Sequence, residues 1–215
     1  MLVAGAGLLL YPRIAEYFFE RQVEEIKKEF LQSRERNKSL FDELYEFLKA
    51  ENKRLFETGQ DGLVDAFSYE RPAIDLSEYG IMDNRIGFIS LPTINMELPI
   101  YLGASEENLK KGAVHMTQTS YPIGGNNTNS VIAAHRGTYL VMFLYIHNLK
   151  IGDEIIITNF RETLTYRMTE YKIIRPTDIN KILIQNDRDM LTLFTCTPLG
   201  GFYDRYVVYC ERVTE

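Results

Sequence analysis

From about Arg85 onward the chain reads as a series of short β patterns separated by turn residues, and no other feature restricts the fold as much. The stretches 86–91, 98–102, 130–134, 154–158, 164–175, 191–196 and 206–213 each combine β-branched or aromatic residues with strand spacing. So many short strands in about 130 residues favour a closed barrel or a sandwich. Short helices are expected at 105–111 and 139–149. The fold class is therefore mainly β, a barrel with short helices, over 85–215.

The part before it has a different period. Residues 14–57 are helical in pattern, with Val23, Ile26 and Phe30 on one stripe and Leu40, Phe41, Leu44, Phe47 and Leu48 on a second. Ser39, followed by Asp42 and Glu43, suits the start of the second helix. Between residues 21 and 57 nine basic side chains balance nine acidic ones, as on solvated faces. This predicts an N-terminal helical arm over 1–58. Residues 59–84 have little periodicity and connect arm to barrel; so long a connection is a plain linker or a lid.

Residues 1–12 are nearly all apolar but too few to cross a bilayer as a helix. They have no basic residues ahead of them and no evident cleavage site, which fits a signal peptide poorly. Two readings stand: the remnant of a membrane span, or a short hydrophobic helix packed on the domain. Arg13, placed like a membrane-flanking residue, favours the first.

The formal net charge of −6 argues against nucleic-acid binding, which needs a basic face. No two Cys or His residues stand at zinc spacing, and no Gly-rich phosphate loop is present, so neither a metal nor a cofactor is expected. Of two cysteines, Cys210 lies in a strand pattern and reads as a small buried hydrophobe; a Cys196–Cys210 disulfide stays open.

Cys196 is different. It ends the apolar run Thr192-Leu-Phe-Thr-Cys196 just before Thr197-Pro198-Leu-Gly-Gly, a turn that places its sulfur at a barrel rim. His135 likewise follows an apolar strand and precedes a glycine. Arg205 lies nine residues past the cysteine, far enough for one strand out, a Gly-rich loop and one strand back. A thiol, an imidazole and a permanent cation are the groups that thiol acyl transfer needs: nucleophile, proton carrier and stabiliser of thiolate and oxyanion. Arg205 cannot act as a base, because it keeps its proton.

These residues also carry a family likeness: the chain resembles a sortase. The Thr192–Cys196 run matches that family's T-L-x-T-C motif, and His135 in Ala-Ala-His-Arg-Gly and Arg205 complete its triad. Ile86-Gly-Phe-Ile-Ser-Leu-Pro92, Leu98-Pro-Ile-Tyr101, Pro122-Ile-Gly-Gly125 and Gly152-Asp153 match as well, so the likeness covers about 80–213. Within the family it most resembles class C, the pilin-polymerising enzymes, whose cleft is covered by an Asp-Pro-aromatic lid. The corresponding stretch here is Asp65-Ala66-Phe67. The likeness implies that Asp65 pairs with Arg205 and that Phe67 covers Cys196. Alanine in place of proline predicts a more mobile lid. Two further departures are Ala134, where glycine is common, and Phe202-Tyr203-Asp204 before the arginine.

The resemblance implies a sortase-type barrel that cleaves an LPxTG-like sorting signal between Thr and Gly through a thioacyl intermediate. The acyl group then passes to an amine, a pilin lysine in class C or a cell-wall peptide in class B or D. Thr192 and Thr195 are expected to line the substrate groove or to be core hydroxyls; His115 falls in a stretch resembling the pocket wall, and His147 reads as a surface residue. The family implies attachment to the outer face of a Gram-positive plasma membrane through the N-terminal segment, and a monomer is expected. Two rivals remain: a signal-peptide binding module without turnover, and a hydrolytic cysteine protease.

Overall fold

Among the described residues, eight strands close into one barrel; numbered along the chain, their order is β1-β2-β3-β4-β7-β8-β6-β5. In this computed structural model, residues 2–137, 140–198 and 203–214 are described, with 2–12 traced by backbone alone. The strands are β1 Arg85–Leu91, β2 Met96–Leu102, β3 Ala113–His115, β4 Thr128–Ala133, β5 Glu154–Asn159, β6 Thr163–Ile174, β7 Asp189–Thr197 and β8 Asp204–Arg212. All seven expected strands are present within two residues at either end. β3 is an addition: three residues between an α-helix and a turn are too short for a period to register.

β4 and β7 are the centre of the barrel. They run parallel, Thr128 opposite Asp189 through Ala133 opposite Phe194, and every residue of β4 is buried. Both sides of this pair are covered, so its polar residues Thr128, Asn129, Ser130, Thr192 and Thr195 are buried along with its apolar ones. Alternation along β7 sends Leu191 and Leu193 into one core, and Met190 and Phe194 into another beneath the 59–84 connection.

Two helices precede the barrel, α1 Leu2–Arg36 and α2 Lys38–Thr58, joined at Asn37. The second helix thus begins at Lys38. Asn37 takes the cap position, its side chain donating to Ser33 Oγ at 3.1 Å, so the expected cap at Ser39 is corrected. The buried face of α2 is Phe41, Leu44, Leu48, Asn52 and Leu55, whereas Leu40 and Phe47 are exposed. The apolar stripe was wider than the face that docks. Asn52 fixes the docking: its amide donates to Tyr121 O at 3.2 Å, and Tyr121 N donates back to Asn52 Oδ1 at 2.7 Å. Val23 and Phe30 of α1 lie in the same core as barrel residues Ile86, Phe88 and Leu191, so the arm is part of the hydrophobic core.

Among the described residues no helix is long and apolar enough to cross a membrane. The side chains of 1–12, on which the membrane-span reading rests, lie outside the described residues.

The short helix α3 is Glu106–Lys111, capped by Ser105 Oγ accepting from Asn108 N at 3.1 Å. The helix expected at 139–149 is a 3₁₀ segment, Met142–Asn148; Tyr139 lies outside the described residues. The 59–84 connection holds two 3₁₀ turns, Ala66–Ser68 and Ser77–Tyr79. It lies close against the barrel: a Cβ on Gly103 (φ +79°) would meet Pro72 N at 2.4 Å, and Thr117 Oγ1 donates to Arg71 O at 3.0 Å.

Because Leu48 is fully buried in a core shared by arm and barrel, Leu48→Ala is expected to lower the unfolding free energy by about 2–5 kcal/mol. Urea denaturation followed by both far-ultraviolet CD and tyrosine fluorescence should show one shifted transition. Two separate transitions would mean an arm that folds independently.

Candidate active site

The register of one hairpin sets the chemistry. β7 and β8 pair antiparallel with Cys196 directly opposite Arg205, so the nine-residue interval of the sequence becomes a single cross-strand pair. Both side chains share a sheet face with Phe194 and Val207, the face beneath the 59–84 connection. The turn residues 199–202, including Phe202, lie outside the described residues.

His135 comes from the neighbouring strand. Beyond Ala133, Ala134 N donates to Phe194 O at 3.2 Å, and Thr195 Oγ1 donates to Ala134 O at 2.7 Å. Two bonds thus fix the segment carrying the imidazole to the strand carrying the thiol. Such support from rigid elements is what a catalytic constellation requires.

The lid residues complete the arrangement. Arg205 Nε donates to Asp65 Oδ1 at 2.7 Å and Nη2 to Asp65 Oδ2 at 2.8 Å, a bidentate pair with both side chains 10% exposed or less. Asp65 also caps the 3₁₀ turn, its Oδ2 accepting from Phe67 N at 3.2 Å. That turn aims Phe67 inward. Its ring lies 5.6 Å from the His135 ring, 6.4 Å from Phe194 and 5.2 Å from the Arg205 guanidinium, centre to centre. Cys196 is only 4% exposed. One aromatic ring therefore bridges the imidazole and the guanidinium, and the connection is closed over the site.

Burial sets the protonation states. It pushes the Cys196 thiol up to about 11, helped by the Asp65 carboxylate and opposed by Arg205 and Arg136. His135 is shifted down, first by burial and then by the positive charge of Lys110. With the lid closed, the two groups are a neutral thiol and a neutral imidazole.

Arg136, the residue after His135, also reaches the site. Its Nη1 donates to Thr197 Oγ1 at 2.9 Å and to Cys196 O at 3.4 Å, and Nη2 donates to His147 Nδ1 at 3.3 Å. It is a second cation beside the thiol, tied to the end of β7. A charged residue immediately after the histidine was the only available signal.

Other expected residues lie elsewhere. Thr192 and Thr195 are fully buried; Thr192 Oγ1 donates to Asn129 Oδ1 at 2.8 Å. Strand alternation puts the two on opposite faces, so their hydroxyls serve the interior and line no open groove. His115 is a core residue, stacked 5.0 Å from Tyr121, its Nε2 3.0 Å from Ser120 O; burial lowers its pKa to about 4. His147 is exposed yet bonded to Arg136. Cys210 is fully buried opposite Leu191, and both cysteines are free thiols; burial pushes Cys210 far above the ordinary thiol range.

Comparison with known proteins identifies the family and agrees with the barrel fold. The Sortase domain family model matches residues 89–213, more than half the chain, and the chain belongs to the sortase family, whose members are cysteine transpeptidases. It is 33% identical over 131 residues to Sortase D of Bacillus subtilis, covering 60% of this chain and 64% of that protein. To Sortase A of Bacillus anthracis it is 28% identical over 176 residues, 78% of this chain and 80% of the relative. The chain thus spans just under two thirds of the Bacillus subtilis relative's length. Among solved structures, Streptococcus pneumoniae Sortase C superposes with a TM-score of 0.79 at 30% identity, over 89% of this chain and 97% of that one. Sortase C1 of Group B Streptococcus Pilus Island 1 gives 0.72 at 27% identity, over 95% and 93%.

The turn at Ala66 has a backbone that would accept a proline. Asp65 has φ −61°, ψ 136°, the conformation proline imposes on its predecessor, and Ala66 opens the 3₁₀ turn. Ala66→Pro is therefore expected to stabilise the closed lid by about 0.4–1 kcal/mol. Alkylation of Cys196 by iodoacetamide should slow about two- to fivefold, by that free energy. Unchanged or faster labelling would mean that the turn rearranges around proline.

Proposed function

We propose that this chain is a class C-like transpeptidase that cleaves an LPxTG-like sorting signal between Thr and Gly and joins the new carboxyl end to a lysine amine of a pilin. The observation that carries this reading is the closure of one lid, through Asp65 and Phe67, over a thiol and a guanidinium paired across β7 and β8 beside a strand-end imidazole. The likeness to sortase C structures over nine-tenths of the chain supports it.

Once the lid opens, Asp65 leaves Arg205 and water reaches the thiol. Both changes lower the thiol pKa, because the charged form is no longer desolvated or repelled by a carboxylate. Cys196 Sγ then attacks the Thr carbonyl carbon, its proton passing to His135. The carbonyl becomes an oxyanion, and Arg205, released from Asp65, donates hydrogen bonds to it. Collapse breaks the Thr–Gly C–N bond; His135 gives its proton to the leaving glycine amine, and a thioester remains on Cys196. An incoming lysine amine attacks that thioester, gives a proton to His135 and takes the acyl group as an isopeptide, while the thiolate is reprotonated. In the family setting, the N-terminal segment holds the enzyme at the outer face of a Gram-positive membrane.

A sorting-signal peptide incubated with the protein is expected to give a Cys196 thioester adduct by mass spectrometry, absent in Cys196→Ala. Adding a lysine-bearing peptide should convert the adduct into an isopeptide product. Release of free acid at a rate indifferent to the amine would point to a hydrolytic protease, and no adduct would leave a binding module. Arg205→Gln should lower kcat by about 10²–10³, the usual effect of deleting one oxyanion donor. A loss below tenfold would remove Arg205 from the chemistry.

A further inference from the structure

The same end of the barrel carries a second concavity. Moving beyond Ala133 in β4 and Phe194 in β7 corresponds, through β3, to moving toward Met96 in β2 and Leu91 in β1. The β1–β2 turn at Pro92–Ile94 therefore sits at the end where Cys196 and His135 emerge. Between this turn, α1 and the segment 140–145 lies a groove of about 570 Å³. Its wall is joined to the catalytic segment, since Phe143 N donates to His135 O at 3.1 Å.

The groove has an apolar floor and an acidic rim. Phe19, Val23, Met96, Leu98 and Met142 line it, and Glu16, Glu20, Glu24 and Glu97 are its only charged lining residues among those described. Three of these carboxylates are spaced four apart along α1, on one face. The fourth, Glu97, already binds an ammonium: Lys27 Nζ donates to its Oε1. So the surface accepts a lysine head over an apolar floor, and it does so with a residue of its own.

We infer that this groove receives the acceptor substrate, a lysine-bearing protein segment with apolar residues flanking the lysine. The assignment rests on the transpeptidase reading above and adds where the amine partner docks. A lysine stem lies on apolar surface while its ammonium meets carboxylates. The acidic rim also raises the local concentration of a cationic partner next to the thioester and resists a second acidic chain. Lys27 competes for Glu97, so its removal enlarges the negative site.

A fluorescent peptide carrying one lysine between apolar residues tests this on the full chain, by anisotropy. The triple variant Glu16→Gln, Glu20→Gln, Glu24→Gln is expected to weaken binding about fivefold, two exposed charges and one half-buried charge contributing modestly each, whereas Lys27→Met should tighten it about twofold. Raising salt should weaken binding to wild type and leave the triple variant nearly unaffected. In turnover, KM for the lysine peptide should follow the same order while the rate of adduct formation from the sorting peptide stays unchanged. Equal affinity in all three proteins would overturn the groove assignment. Weakened binding without any thioester adduct would support the groove and refute the transpeptidase reading instead.

Discussion

The Asp65–Arg205 ion pair is the interaction on which the site's resting chemistry depends. It is bidentate and nearly buried, but burial does not make it a lock. Desolvating two charges offsets much of their mutual attraction, and opening the loop returns both to water. Such a partly cancelled pair suits a loop that, on the proposed reading, leaves for substrate to enter. While shut it has three chemical effects: it occupies the guanidinium, sets a carboxylate near the thiol, and holds Phe67 against His135. Burial and the carboxylate together outweigh the two arginines and keep the thiol neutral. In the proposed mechanism, the arginine that would stabilise the oxyanion is the one paired with Asp65 of the loop.

Everything beneath that latch is rigid. Cys196 and Arg205 are paired by strand register, and His135 is tied to β7 by two hydrogen bonds. The helical arm adds to the frame, because α1 and α2 share the barrel's main core and Asn52 bonds the backbone of Tyr121. On the proposed reading, residues held by strand pairing supply the reacting groups, and the 59–84 connection controls access to them. The groove beside α1 extends this division, since its walls are a helix, a turn and the segment bonded to His135.

Much of this was legible in the sequence because its physics is local. Seven strands carried their own period and turn residues, and Cys196 and Arg205 could be placed across a hairpin from their separation alone. What escaped depends on partners distant in the chain. β3 is a strand only because β2 and β4 flank it. The docking face of α2 is set by the barrel, which leaves Leu40 and Phe47 outside it. The Thr192 hydroxyl meets an asparagine 63 residues away, and Arg136 gains its place at the thiol from the β4–β7 pairing. The acidic groove joins α1, the β1–β2 hairpin and the 140–145 segment, which no single stretch of sequence announces.

The most direct measurement is the ionisation of Cys196 read from the pH dependence of its alkylation by iodoacetamide, located by mass spectrometry, in wild type and in Asp65→Ala. The account predicts a wild-type midpoint near 11 and a lower one in the variant, where the carboxylate is gone, water enters, and Arg205 and Arg136 remain. Equal midpoints in the two proteins, or a wild-type thiol already ionised at neutral pH, would contradict it.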